Sequence, residues 1–190
     1  PDHVYGRLET ERSVAAITRD DIETLRRRVF ARDRLRVTAV GDIDAKSFGA
    51  LLDKVFGELA AKATLTPVPP IAIPPVAKEK IVELDVPQSV VMFGMAGIPR
   101  KDPDFIAAFV MNEMLGGGGF HTRLMEEVRE KRGLAYGVNS YLQTLRASNA
   151  FAGRVATKNE SVAQSIEIIR AELKRMAADG PTDKELADIK

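Results

Sequence analysis

The sequence contains no cysteine and only two histidines among its 190 residues. The absence of cysteine excludes disulfides, thiol nucleophiles and thiolate metal sites, although it says nothing about the cellular compartment. Neither His3 nor His121 has a second nitrogen ligand or a carboxylate at the spacing that zinc sites use, and the inverted H-x-x-E-H signature is absent. The sequence therefore predicts no metal site in this chain, and a lone histidine such as His121 is more typical of a surface or capping group.

Long hydrophobic runs and an excess of one charge are also absent. Lys and Arg number 28 and Asp and Glu 27, which gives a net charge of +1. Because acidic and basic residues are interleaved, the long-range field that would gather phosphates is missing, and nucleic acid is not an expected partner. A hydrophobic fraction of 45% is ordinary for a globular protein with one core or two small ones. No membrane span is predicted.

Five of the ten prolines lie between Ala60 and Lys78, namely Pro67, Pro69, Pro70, Pro74 and Pro75. Proline fixes φ and removes a backbone donor, so this stretch is predicted to be an extended connector. We therefore predict the end of a first domain over residues 1–62, a linker over 63–79 and a second domain over 80–190.

In the first domain, the pattern predicts two helices and one strand. A helix with an apolar stripe is predicted to begin at Thr18 and to run to about Phe30, and Asp44 can cap a second helix. Residues 35–40 between them are predicted to form a buried strand. Because a strand with bare edges needs neighbours, this domain fits part of a larger sheet better than a complete one.

The sequence pattern of the second domain predicts an α+β fold with a mainly antiparallel sheet and helices on one face. The predicted strands cover residues 80–86, 89–95, 135–144 and 149–157. The helix from Asp102 to Leu115 is apolar on most sides and is expected to be buried. Three further helices are predicted. They are a charged helix that ends at Lys131, a helix with an apolar stripe over residues 162–176, and a last helix that begins with a capping box at Thr182.

Four consecutive glycines, Gly116, Gly117, Gly118 and Gly119, separate the apolar helix from the charged one. Glycine ends helices and adopts positive φ at little cost, so the run is predicted to reverse the chain tightly. A phosphate-binding loop is disfavoured because no Lys-Ser/Thr pair follows and no parallel βαβ unit surrounds the run.

Arg129 and Tyr136 lie seven residues apart with Gly133 between them, so they do not share one helix. The end of a helix and the start of the next strand can bring both side chains to one rim. The pattern by itself favours the other interpretation, an exposed helix arginine and a tyrosine whose strand face continues into the core. The residues alone leave both interpretations open.

The segment from Leu115 to Tyr136 closely resembles the second-domain signature of the pitrilysin/insulinase family of zinc metallopeptidases, in its processing-peptidase-like form. In that family a glycine-rich turn precedes a helix ending in Leu-Arg-Glu-Lys-Arg-Gly-Leu-Ala-Tyr. Here Val128 replaces the leucine and His121 the usual serine. Residues 3–7, 40–43 and 102–105 resemble further family segments in the same order.

The resemblance implies a metallopeptidase-like α/β sandwich and a peptide site that this chain only partly supplies. It implies that Arg129 holds a peptide carbonyl or carboxylate and that the Tyr136 hydroxyl donates to the developing oxyanion. It also suggests that Gly116 to Gly119 form a mobile backbone segment near the bound peptide. These residues are the candidate catalytic pair and the candidate substrate-binding segment.

In the family, the zinc ligands and the catalytic glutamate lie upstream of the part that this chain resembles, or on a partner subunit. The chain alone is therefore expected to be inactive as a peptidase, and its expected partners are a peptide and either a zinc-bearing subunit or a second copy. The glycine run and the Arg–Tyr spacing resemble bacterial partner subunits, which favours a periplasmic location. The alternative is a non-catalytic structural or peptide-binding subunit of the same fold family.

Overall fold

Short polar side chains cap the N-termini of the helices that lie before the proline-rich stretch. The computed structural model describes residues 3–75, 78–117 and 119–189, and its contacts divide the chain into two units, Pro1–Pro69 and Pro70–Lys190. This division falls within the predicted linker, while the predicted domain boundaries stay a prediction.

The described part of the first unit contains three α-helices: α1 over Glu11–Ala15, α2 over Arg19–Val29 and α3 over Ala45–Phe56. The side chains of Thr10, Thr18 and Asp44 accept hydrogen bonds from the first backbone N–H groups of these helices. A helix start leaves those donors without partners, so the caps stabilise each start. The helices predicted from Thr18 and Asp44 are confirmed.

Residues 35–40 are not a strand in the described part of the first unit. The prediction is wrong because an apolar run becomes a strand only beside another strand, and the bridge found in this unit joins Ala31 to Ala60 instead. Val40 is consequently 99% exposed, whereas Ala31 is buried. The apolar stripes of α2 and α3 are also largely uncovered, as Leu25 and Val55 show.

The second unit is built on a three-stranded antiparallel sheet in the order β1-β3-β2. Its strands are β1 over Gln88–Ala96, β2 over Ala135–Thr144 and β3 over Asn149–Lys158, and its α-helices are α4 over Phe105–Asn112, α5 over Val162–Asp179 and α6 over Asp183–Asp188. Between α4 and β2, the chain forms a π-helical turn, Glu113–Gly117, a 3-10 turn, Gly119–His121, and a π-helical segment, Met125–Glu130. The predicted α+β fold is confirmed.

The core of this unit lies on one face of the sheet. Val138 of β2 and Val155 of β3 pack with Leu124, Val128 and Ile169 from the helical elements. Along β3, buried residues alternate with more exposed ones, as the two-residue period of a strand requires when one face is covered. The helices therefore cover a single face.

Two expectations for the second unit are wrong. Residues 80–86 do not pair as a strand, and Ile81 remains 76% exposed, because no described strand lies beside them. Helix α4 is not buried all round: Phe105 is 5% exposed, but Ile106 is 69% exposed. A helix on one face of a sheet buries only the stripe that meets the sheet. Among the described residues, none of the helices has both the length and the apolar character needed to cross a membrane.

Candidate functional site

Arg129 lies in the π-helical segment Met125–Glu130, whose inner side is firmly anchored. Leu124 and Val128 are 0% exposed in the core. The Thr122 hydroxyl accepts a hydrogen bond of 3.3 Å from the Met125 N–H, which supports the start of the segment. Helical turns of the π type are frequent at functional sites. Because the inner side is fixed, Arg129 projects outward with 28% of its side chain exposed.

Glu127 fastens the end of this segment by binding two neighbouring cations. Its carboxylate accepts hydrogen bonds from Lys131 Nζ and Arg132 Nη1, each at 2.7 Å. The bonds from Lys131 and then Arg132 lower the pKa of Glu127, so the carboxylate is charged at neutral pH. In the described residues, Arg129 by contrast has one ion pair, at 3.5 Å, with the adjacent Glu130.

A tight turn connects Arg129 to β2. Gly133 has φ +61°, a conformation that favours glycine. Its N–H donates to the Arg129 carbonyl at 2.7 Å, and the Leu134 N–H donates to the Val128 carbonyl at 3.0 Å. These bonds satisfy carbonyls at the helix end and fix the distance between the segment and the strand.

Tyr136 occupies a β-bulge at the start of β2. Ala135 lies opposite Thr157 and Gly137 opposite Ala156, so Tyr136 has no residue opposite it on β3. A bulge bends the strand and redirects a side chain, and bulges are common next to active sites. The Tyr136 side chain is 83% exposed.

The turn and the bulge bring Arg129 and Tyr136 into contact. The guanidinium carbon of Arg129 lies 5.1 Å from the centroid of the Tyr136 ring and 4.8 Å from that of Phe120. The sequence pointed to Arg129 and Tyr136 through the family resemblance, but it did not point to Phe120. An aromatic residue directly after a glycine run has no period or spacing that links it to an arginine nine positions later. Its position at the end of the run was the available signal.

The predicted glycine segment contains two different environments. Gly116 is buried, and a Cβ atom at this position would lie 2.5 Å from Ser140 Oγ, so the close approach to β2 requires glycine. Gly117 and Gly119 are exposed, and Gly119 has φ +88°. Gly118 lies outside the described residues. Gly116 and Gly117 also line a cavity of about 260 Å³ between α4 and β2.

Neither histidine belongs to a set of metal ligands in the part of the chain that the structure describes. No group of three His, Cys, Asp or Glu side chains is placed there to hold a metal ion. His3 Nε2 lies 3.0 Å from the Pro69 carbonyl oxygen, and His121 is exposed. The described residues therefore do not fit a zinc site.

A family model described as the peptidase M16 inactive domain matches residues 16–190. An uncharacterized zinc protease of Streptomyces coelicolor is 32% identical, over 97% of this chain and 42% of that protein. The non-peptidase homolog YmxG of Helicobacter pylori is 30% identical, over 96% of this chain and 42% of that protein. The chain thus spans less than half the length of these relatives.

Solved structures agree with the family match. The peptidase M16 inactive domain from Pseudomonas fluorescens has a TM-score of 0.79 and 31% identity, over 94% of this chain and 43% of that one. A protease from Helicobacter pylori shares the fold, with a TM-score of 0.78 and 23% identity, over 95% and 44%. The chain therefore belongs to the peptidase M16 family, the pitrilysin/insulinase family indicated by its Arg–Tyr segment, and corresponds to the inactive domain.

Proposed function

We propose that this chain contributes peptide binding and transition-state stabilisation to a zinc-dependent peptidase whose metal site lies outside it. The observation that supports the proposal is the contact between Arg129 and Tyr136, two side chains on different elements that meet at the surface. A guanidinium beside a phenol offers a cationic donor and a neutral donor to one ligand.

Arg129 is suited to hold a peptide carbonyl or carboxylate. Its guanidinium is charged at every physiological pH and presents several N–H donors in one plane. Within the described residues its ion pair with Glu130 is long, at 3.5 Å, whereas Lys131 and Arg132 are committed to Glu127 at 2.7 Å. The Arg129 donors are therefore less committed to neighbouring carboxylates than those of Lys131 and Arg132.

Tyr136 is suited to donate a hydrogen bond to an oxyanion. Its phenol is a neutral donor, and the bulge presents the side chain to solvent, where a bound peptide would meet it. A donor already in place stabilises charge that develops in the transition state, because no reorganisation is needed at that moment. The exposed Gly117 and Gly119, with Gly116 behind them, are proposed to lie beside the same peptide.

The zinc ion is proposed to lie upstream in the complete protein or on a partner subunit, because the described residues do not fit a zinc site. Relatives from Streptomyces coelicolor and Bacillus subtilis are named zinc proteases. The proposed partners are accordingly a peptide and a zinc-bearing subunit or a second copy. A periplasmic location is a further proposal, supported by the resemblance of Arg129, Tyr136 and the glycine run to bacterial partner subunits, and cell fractionation would test it.

A second candidate is a non-catalytic structural or peptide-binding subunit. The Helicobacter pylori relative, which is named a non-peptidase homolog, favours it. In a peptide-binding subunit Arg129 and Tyr136 would still contact a peptide, whereas a structural subunit implies no such contact. In neither case would the Tyr136 hydroxyl affect turnover. The two candidates therefore differ in a measurable quantity.

The test is to change Tyr136→Phe in the complete zinc-bearing protein or assembly and to measure kcat and KM. We expect kcat to fall on the order of 100-fold, which corresponds to an activation free energy raised by about 3 kcal/mol. KM should change little. Arg129→Ala should mainly raise KM. The control is Tyr5→Phe, which removes a phenol hydroxyl from an exposed tyrosine of the first unit. If Tyr136→Phe leaves turnover unchanged, the catalytic assignment fails and the second candidate is favoured.

A further inference from the structure

Phe120 is an aromatic residue whose position burial does not explain. It lies in the 3-10 turn Gly119–His121, directly after the glycine run, and 61% of its side chain is exposed. Its ring centroid nevertheless lies 4.8 Å from the guanidinium carbon of Arg129. An exposed apolar ring that contacts a cation gains from the charge as well as from excluding water.

Arg129 lies over two aromatic rings, those of Phe120 and Tyr136. The face of an aromatic ring carries negative potential and attracts a cation, and a guanidinium stacks readily on such a face. A guanidinium that stacks on a ring by its face keeps its N–H donors, which lie in its plane, directed away from the ring. The rings can thus hold the side chain without occupying the donors that a peptide oxygen would need.

The ion pair of Arg129 in the described residues contributes little to ordering its side chain. Its ion pair with the adjacent Glu130 measures 3.5 Å, and the Glu130 side chain is 58% exposed, so water screens the attraction. A long side chain that is free in solution loses conformational entropy when a ligand binds it, and that loss reduces affinity. Order imposed in advance by the rings removes part of this cost.

We propose that Phe120 is a positioning residue that holds the Arg129 guanidinium beside Tyr136 before the peptide binds. The proposal rests on the function proposed above and adds a residue to it. Gly119, with φ +88°, directs the chain into the turn that carries the Phe120 ring. The end of the glycine run is therefore linked to Arg129 through the contact of this ring with the guanidinium.

A double-mutant cycle in the complete zinc-bearing protein or assembly tests the proposal. Phe120→Ala should raise KM about 2- to 5-fold with kcat little changed, which is the range expected for an exposed cation–π contact. In an Arg129→Ala background, Phe120→Ala should raise KM no further. Phe120→Tyr keeps the ring face and should restore KM. His121→Ala, a change at the adjacent exposed residue, is the control.

The outcomes separate this proposal from the one on which it rests. If Arg129→Ala raises KM but Phe120→Ala does not, Phe120 has no positioning role. If Phe120→Ala raises KM equally in both backgrounds, Phe120 binds peptide by itself, and the positioning role is again refuted. If Arg129→Ala leaves KM unchanged, the proposed function fails instead.

The contact is also measurable without activity. In the isolated 190-residue chain, the Arg129 side-chain Nε–Hε resonance should be displaced by the ring currents of Phe120 and Tyr136, and Arg129→Lys would assign it. Phe120→Ala should move the resonance toward the value of a free arginine, and Phe120→Tyr should not. An identical resonance in the parent chain and in Phe120→Ala would overturn the proposal.

Discussion

Among single residues, Arg123 has the most enclosed charge near the candidate site. Its side chain is 4% exposed, and its Nε and Nη2 donate to the two carboxylate oxygens of Glu185 at 2.7 and 2.6 Å. A bidentate pair of this kind is stronger than a surface ion pair. The pair connects the residues just before the segment Met125–Glu130 to the start of α6.

This pair makes stability depend on pH. The hydrogen bonds from Arg123, followed by those from the Thr182 N–H and hydroxyl, lower the pKa of Glu185 from 4.5 to about 2. Because the pKa is lower in the folded state, the contribution is present above the unfolded value of 4.5 and is lost as the pH falls toward 2. Such a shift corresponds to about 3 kcal/mol of unfolding free energy.

We therefore expect Glu185→Gln to lower the unfolding free energy by about 3 kcal/mol at pH 6 and by less than half of that near pH 3. Urea unfolding of both proteins at the two pH values measures this difference. Glu160→Gln, a change at an exposed carboxylate in the same unit, is the control. A difference that is the same at both pH values would show that the Arg123 pair is not its source.

Among the elements, the π-helical turn Glu113–Gly117 meets β2 most closely at Gly116. An added Cβ would lie 2.5 Å from Ser140 Oγ and 2.9 Å from the Ser140 backbone nitrogen. Since the strand backbone cannot yield, Gly116→Ala should destabilise the protein by about 1–3 kcal/mol. Gly137→Ala in β2 is the control, because no atom lies within 4 Å of its added Cβ. Equal urea midpoints for the two variants would contradict this account.

The elements also show what the sequence could predict and what it could not. Caps and periodicity act over a few residues, so Thr18, Asp44 and Thr182 correctly marked helix starts. The apolar runs at 35–40 and 80–86 failed because a run of side chains does not reveal whether a neighbouring strand exists. The bulge at Tyr136 depends on the register with β3, which appears only in three dimensions.

In the candidate site, too, local features were predictable and contacts between distant residues were not. The resemblance indicated Arg129 and Tyr136 together, and Gly133 between them predicted a turn. Phe120 and the Arg123–Glu185 pair were missed, because their contacts join residues 9 and 62 positions apart without a repeating pattern. Aromatic and charged side chains at such separations meet only once the helical segment has packed on the sheet.

In the whole molecule, the two units differ in how much apolar surface they bury. The second unit contains a contiguous core that includes Leu115, Val138 and Val155. In the described part of the first unit, Ala31 is the buried apolar residue, while Ile22 and Val55 remain more than half exposed. Burial of apolar area is the main favourable contribution to folding, so stability should reside in the second unit.

We therefore expect residues 70–190, produced alone, to unfold cooperatively in urea with a midpoint close to that of the full chain. Residues 1–69, produced alone, should show no cooperative transition. Circular dichroism through the titration measures both, and amide dispersion in NMR spectra provides an independent check. Loss of cooperative unfolding in residues 70–190 would show that the core described above is insufficient.

The β-bulge at Tyr136 also bears on how such domains diverge. Since the bulged residue has no counterpart on β3, the pairing of the two strands does not depend on its side chain. A mutation that removes the phenol would spare the sheet and its core, so selection for folding would not oppose it. The proposed role of Tyr136 in turnover can therefore be removed by mutation while the architecture stays the same.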